Sequence, residues 1–167
     1  MSLVGRALIL IALACAVYAI VAALYARRRG GEPWQRSAER GVYAVFASVT
    51  GAVIVFETAL LGNDFSFAFV AEYSSRDLPL GYKLTSLWAS QAGSLLLWLW
   101  LFSGMASLAV WLNRRRNREL MPIVVAVLMS IGTFFAMLLT FVTSPFETVI
   151  AEADGKGLNP LLQNDYM

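Results

Sequence analysis

The densest group of side chains that could bind a ligand lies within residues 82–100, where the sequence reads YKLTSLWASQAGSLLLWLW. If this stretch is helical, Trp88, Gln91 and Leu95 share one face, because residues three and four apart are neighbours on a helix. Aromatic faces beside small hydrogen-bonding groups, among them Ser94, suit a flat amphipathic ligand. The same residues also suit a helix-packing surface with an interfacial aromatic belt, and the sequence leaves both interpretations open.

Imidazole chemistry is excluded, because the 167 residues include no histidine. The chain therefore supplies no histidine as a metal ligand, as an axial ligand to haem iron or as a general base. A single cysteine, Cys15, excludes an internal disulfide and a multi-thiolate metal site. The sequence also lacks a glycine-rich phosphate loop, so no catalytic residue and no metal ligand are predicted.

Glu57 is the one ionisable residue that lies well inside an apolar stretch. An acid within a membrane is costly to bury and therefore suggests a function. The alternative is a carboxyl group that is protonated or hydrogen-bonded to a neighbouring helix. Both interpretations remain open.

Membrane helices must position these side chains. Hydrophobic residues make up 59% of the chain and charged residues 14%, against about 45–50% and about 25% in soluble domains. Four apolar stretches reach the roughly 20 residues that cross a bilayer, and they span about residues 3–25, 41–61, 84–112 and 120–142. The sequence predicts an all-α, polytopic integral membrane protein, with four transmembrane helices in residues 1–142.

The basic residues predict the orientation of these helices. The loops after the first and third apolar stretches contain nine of the thirteen lysines and arginines. By the positive-inside rule these loops face the cytoplasm, and both termini face the outside or periplasm. The loop at 62–83 and the tail at 143–167 then lie on the outer side. The basic residues act as topological signals, and no nucleic-acid partner is expected.

Three motifs, in order and separated by the predicted spans, resemble the amino-terminal part of CcmF/NrfE-type cytochrome c maturation proteins. They read DFSFAFVAEYSSRDLPLGYK, LWASQAGSLLLW, and TSPFE followed by DGKGLNPLLQN. The match covers roughly residues 62–164. In that family the membrane protein acts as, or within, the haem lyase. It handles haem at the outer face and passes it to the CxxCH motif of apocytochrome c.

The resemblance implies that this chain is the amino-terminal membrane segment of a haem lyase subunit, multi-pass in the bacterial plasma (inner) membrane. It implies haem as the cofactor of the complete protein or complex. The implied partners are the downstream half of the same protein or a split partner, other maturation subunits, apocytochrome c and membrane lipid. By position only, four side chains would line the outward-facing haem or apocytochrome groove: Trp88, Gln91, Ser94 and Trp98. Three more would lie in the outer loop that leads to the downstream half: Asn159, Pro160 and Gln163.

The sequence departs from the family pattern at the third span. The family commonly has a histidine and an acid directly before GSLLLW, where this chain has Gln91 and Ala92. Family members also continue past LNPLLQ into a histidine-proline stretch, more helices and a tryptophan-rich WWD region flanked by haem-ligating histidines. The chain is therefore expected to be an amino-terminal fragment, a truncated chain or one half of a split protein, and to be inactive as a lyase alone.

A function of a different class is the alternative: a non-enzymatic four-helix accessory subunit of a transporter or respiratory membrane complex. Glu57 would then matter most, and the outer motifs would form an interface. A following reading frame that begins with a histidine-proline stretch and continues into a WWD motif would favour haem assembly.

Overall fold

The computed structural model describes residues 1–150 and 154–156. Helices account for most of them, and in chain order they are α1 (Ser2–Arg29), α2 (Glu32–Leu61), α3 (Ala68–Tyr73), α4 (Leu80–Thr85), α5 (Gln91–Asn113) and α6 (Met121–Met137). A 3-10 turn at Ser86–Trp88 precedes α5, and a π-helical turn at Leu138–Val142 extends α6. Four of these helices, including α6 with its extension, are long and apolar enough to span a membrane. The predicted all-α class with four spans is confirmed.

The long helices form a bundle in which α1 packs on α2 and α6, and α5 packs on α2 and α6. A stripe of small residues on α1 is almost completely buried, including Ala12, Ala16 and Ala19. Small residues let helix backbones approach closely in a membrane. A Cβ added to Gly41 of α2 would lie only 2.8 Å from the Cβ of Ala19, so the α1–α2 contact depends on glycine at this position.

The first connection is a tight turn. Gly30 and Gly31 have φ angles of 69° and 139°, which residues with a side chain rarely adopt. The second helix begins directly afterwards at Glu32, with Pro33 in its first turn, where proline is well tolerated. Most of the loop expected before residue 41 is therefore helical, because hydropathy detects only the apolar part of a helix.

The third long helix begins at Gln91 rather than near Leu84. Ser90 has an extended backbone, and its hydroxyl accepts a 3.2 Å hydrogen bond from the amide of Gly93. This is an N-cap, which fixes the start of a helix by satisfying a free amide. The apolar stretch at 84–112 thus contains a helix start that its hydropathy does not reveal.

The bundle has two chemically different ends. The α1–α2 turn and the α5–α6 loop lie together, and we call this the arginine end because it contains Arg27–Arg29 and Arg114–Arg116. Residues 62–90 and 143–149 lie at the other end, which we call the aromatic end because it buries Phe65, Phe67 and Phe146.

Candidate functional site

The aromatic end is built by pairing the loop after α2 with the segment after α6. Phe67 forms an isolated antiparallel bridge with Thr148. The amide of Ala68 donates to the carbonyl of Glu147, and the amide of Val149 donates to the carbonyl of Ser66, both at 2.9 Å. Two segments about eighty residues apart in sequence are thereby joined into one surface.

A cluster of phenylalanines fixes this surface to the bundle. Phe56 near the end of α2 meets Phe69 of α3 edge-on, with ring centroids 4.7 Å apart, and meets Phe146 edge-on at 6.2 Å. Such edge-to-face pairs stabilise beyond the area that they bury. Arg6 of α1 also donates from Nε to the carbonyl oxygen of Phe146 at 3.3 Å. The aromatic end is therefore held by α1, α2 and α3 together.

Residues 154–156 also pack on the loop. The amide of Lys156 donates to the carbonyl of Ala71 at 2.8 Å, and the Asp154 carboxylate accepts from the amide of Arg76 at 3.1 Å. A Cβ added to Gly155 would overlap the carbonyl oxygen of Ser74. The glycine between Asp154 and Lys156 is thus required by a close approach to the loop.

Lys83 is a buried charge that the sequence did not reveal. It is only 5% exposed, and its ammonium group donates to Oδ1 of Asn63 at 2.6 Å. Asn63 itself has a φ of 53°, a left-handed conformation that asparagine tolerates better than most residues. Neighbouring residues carry no signal of this pairing, because the partners are twenty positions apart.

The four residues predicted to line a groove lie along the start of α5. Gln91 is the first residue of α5, and Ser94 and Trp98 follow on the same face of the helix. Trp88 lies in the preceding 3-10 turn, where its carbonyl accepts from the Ser94 hydroxyl at 3.1 Å. The sequence predicts one shared helical face for Trp88, Gln91 and Leu95. The structure differs, because α5 begins after Trp88 and that residue lies in the preceding 3-10 turn.

Two of these side chains are strongly exposed. Trp88 is 69% exposed and Trp98 is 58% exposed, which leaves two indole surfaces open to a lipid, a ligand or another part of a larger protein.

Ser90, Gly93 and Ser94 have structural roles at the start of α5, since they cap it or contact the preceding turn. Asn159, Pro160 and Gln163, which we expected in the outer loop, lie outside the described residues.

A cavity of about 220 Å³ opens beside Gln91. It lies between α3, the first turn of α5 and the segment after α6, and its polar lining includes Glu72, Ser90, Ser144 and Glu147. Of the four predicted lining residues, Gln91 reaches this cavity, whereas Trp88, Ser94 and Trp98 lie outside it. Of the four, Gln91, at the family's usual histidine position, is therefore the one that borders a concave surface of mixed polar and apolar residues.

Within the described ranges, no group of three or more Cys, Asp or Glu side chains is suited to hold a metal ion.

Glu57 has one buried carboxylate oxygen, Oε2, for which residues 1–150 and 154–156 provide no hydrogen-bond partner. For a haem group this chain could provide the exposed rings of Trp88 and Trp98 and the side-chain amide of Gln91, but no imidazole ligand.

Comparison with known proteins identifies the relatives of this chain, although no protein-family model matches it. The cytochrome c-type biogenesis protein CcmF of Escherichia coli is 31% identical over 163 residues, which is 96% of this chain and 25% of that protein. CcmF of Pseudomonas aeruginosa is 32% identical over 162 residues, again 96% of this chain and 25% of that protein. The probable cytochrome c-type biogenesis protein NrfE of Escherichia coli is 37% identical over 128 residues, or 74% of this chain and 23% of that protein.

A solved structure agrees with these relatives. The cytochrome c heme lyase CcmF superposes on this chain with a TM-score of 0.76 and 32% identity, over 90% of this chain and 25% of that one. This chain thus spans about a quarter of the length of the curated relatives that it matches. It belongs to the CcmF/NrfE family of cytochrome c-type biogenesis proteins and corresponds to an amino-terminal part of them.

Proposed function

We propose that this chain is the amino-terminal membrane segment of a haem lyase subunit in cytochrome c biogenesis, located in the bacterial plasma (inner) membrane. The observation that carries the proposal is the match to the cytochrome c heme lyase CcmF, which agrees in both fold and sequence. These relatives favour haem assembly over the accessory subunit of a transporter or respiratory complex. The aromatic end then faces the outside or periplasm, as the distribution of arginines favours.

In this role the aromatic end forms one wall of the site where haem meets apocytochrome c. The exposed indoles of Trp88 and Trp98 offer flat apolar surfaces to a porphyrin ring or to an apocytochrome side chain. The Gln91 amide offers a donor and an acceptor at the edge of the 220 Å³ cavity. Ser94 holds the turn in place through its bond to the Trp88 carbonyl.

Haem, when bound, supplies the vinyl groups that become thioether-linked to the cytochrome. The residues of this chain fit that group as a lining surface, and they supply no axial histidine, because the chain has none. Axial histidines would come from the downstream half of the protein, a split partner or another maturation subunit. The chain alone is therefore proposed to bind and orient without completing the reaction.

The test is a complementation assay in which the chain is expressed together with the downstream part of a relative. Replacing Trp88 and Gln91 with Ala is expected to reduce covalent haem attachment to a reporter cytochrome, measured by haem staining. Trp111→Ala is the matched control, because Trp111 is a similarly exposed tryptophan (57%) on α5 at the arginine end. Normal haem attachment in the double variant, at equal protein levels, would show that the lining role is wrong.

A further inference from the structure

A cavity lined by several arginines lies at the arginine end, far from the proposed haem wall. Its volume is about 440 Å³. One wall is a single face of α2 from Glu32 to Tyr43, with lining residues spaced three and four apart, and the other wall carries Arg114, Arg115 and Arg118. Five arginines and two glutamates line this space.

The acidic groups of the cavity are already occupied. The Glu32 carboxylate accepts from Arg36 at 2.6 Å and also forms an ion pair with Arg118. The amide of Gln35 donates to Glu39 at 3.3 Å and to the Arg118 carbonyl at 3.2 Å. These contacts fasten the α5–α6 loop to α2. Glu39 keeps its negative charge, since Gln35 is neutral, but it forms no ion pair with an arginine in the described residues, and the five arginines of the lining outnumber the two glutamates.

The remaining arginines face the cavity without acidic partners. The guanidinium groups of Arg40, Arg114 and Arg115 form no ion pair or hydrogen bond with any residue in 1–150 or 154–156. Tyr43 also lines the cavity, and its hydroxyl is buried without a hydrogen-bond partner in the same ranges. A buried hydroxyl without a partner is costly, so a ligand oxygen that reached it by a small shift of the side chain would satisfy it.

We propose that this cavity binds a phosphate group, carried by the headgroup of an anionic phospholipid or free in solution. The planar fork of arginine suits phosphate oxygens, and several arginines around one cavity can bind the same group. A role in topology alone needs positive charges in the loops, but it does not need three unpaired arginines to line one cavity together with Tyr43.

The position of the cavity favours the lipid source. On α5 the exposed apolar residues Trp111 and Leu112 are followed within three positions by Arg114 and Arg115. This sequence of an aromatic anchor and then basic residues is typical of the membrane–water boundary. Basic pockets between membrane helices at this level bind anionic headgroups. This proposal does not depend on the haem lyase role.

The test uses the 167-residue chain purified in a neutral detergent. Phosphatidylglycerol, phosphatidylcholine and inorganic phosphate are added separately, and bound lipid is counted by native mass spectrometry while affinity is followed by thermal shift. We expect retention of phosphatidylglycerol over phosphatidylcholine. Replacing Arg40, Arg114 and Arg115 with Gln should weaken phosphatidylglycerol binding by roughly tenfold or more, and Tyr43→Phe by about threefold.

The control variant replaces Arg28, Arg29 and Arg116 with Gln. It removes the same charge from the same end, but these residues do not line the cavity. Equal losses in the two triple variants would overturn the proposal, because binding would then reflect overall charge. If the cavity triple variant does not fold by circular dichroism, Arg115→Gln and Tyr43→Phe provide the same comparison.

The experiment with inorganic phosphate distinguishes a lipid headgroup from free phosphate as the ligand. Competition by millimolar inorganic phosphate against phosphatidylglycerol would assign the site to the phosphate group itself. Retained phosphatidylglycerol without such competition would assign it to the lipid headgroup. No preference for phosphatidylglycerol together with no phosphate binding would overturn the proposal.

Discussion

Gly5, in the first turns of α1, lies directly against the ring of Phe146, and a Cβ added to Gly5 would overlap ring carbon atoms. Phe146 is completely buried and packs edge-on against Phe56 of α2. The hydrogen bond from Arg6 to the Phe146 carbonyl, between residues 140 positions apart, further supports this contact. The start of the chain therefore forms part of the aromatic end, and an enlarged residue 5 should disturb it.

Gly5→Ala is expected to destabilise the protein by about 1–3 kcal/mol, because the added methyl group forces a rigid buried ring to move. Thermal unfolding in detergent, followed by circular dichroism, measures the change. Gly81→Ala is the control, since nothing lies within 4 Å of its added Cβ. Equal stabilities of the two variants would show that Phe146 adjusts without cost.

The Asn63–Lys83 bond should be strongly coupled, because Oδ1 of Asn63 lies 2.6 Å from the buried ammonium, whereas its second acceptor, the Arg76 carbonyl, is 3.5 Å away. Asn63→Gly removes the acceptor while keeping a residue that tolerates φ 53°. Lys83→Met removes the charge and keeps the length of the side chain. A double-mutant cycle on unfolding free energy should give a coupling of about 1.5–3 kcal/mol. Additive effects would indicate that the ammonium finds another acceptor.

A hydrogen bond within the bundle links α2 to α5. The Trp100 indole donates to the Thr50 hydroxyl at 3.0 Å, and that hydroxyl donates to the Phe46 carbonyl at 2.7 Å. Thr50→Val should destabilise the protein by about 0.5–2 kcal/mol and shift the tryptophan fluorescence. Thr58→Val serves as the comparison, because its exposed hydroxyl bonds only to the carbonyl of Val55 on its own helix. A larger effect at Thr58 than at Thr50 would contradict the importance of the α2–α5 bond.

The predicted orientation rests on the distribution of arginines, and it can be measured directly. In a Cys15→Ser background, Asp77→Cys reports on the aromatic end and Arg28→Cys on the arginine end, both at exposed positions. A membrane-impermeant maleimide added to intact cells should label Asp77→Cys and should label Arg28→Cys only after permeabilisation. The reverse pattern would invert the proposed topology.

Much of the architecture follows from local chemistry. Long apolar stretches must become helices in a membrane because no other open structure satisfies their backbone groups, and four such helices are present. The adjacent Gly30 and Gly31 indicate a turn, since positive φ angles favour glycine. Motifs around Trp88 and Gln91 were enough to indicate the family, which the relatives confirm.

The arrangement of the candidate site required contacts between distant segments. Local periodicity does not indicate that Phe67 pairs with Thr148 or that Lys83 is buried against Asn63. Nor does it indicate that Arg115 and Tyr43 line one cavity. Sequence alone determined that the chain has four helices able to span a membrane, although not where α2 and α5 begin, because the hydropathy of a segment depends on a residue and its near neighbours. Only the tertiary structure decided which loops and charges meet, because those contacts depend on how whole helices pack.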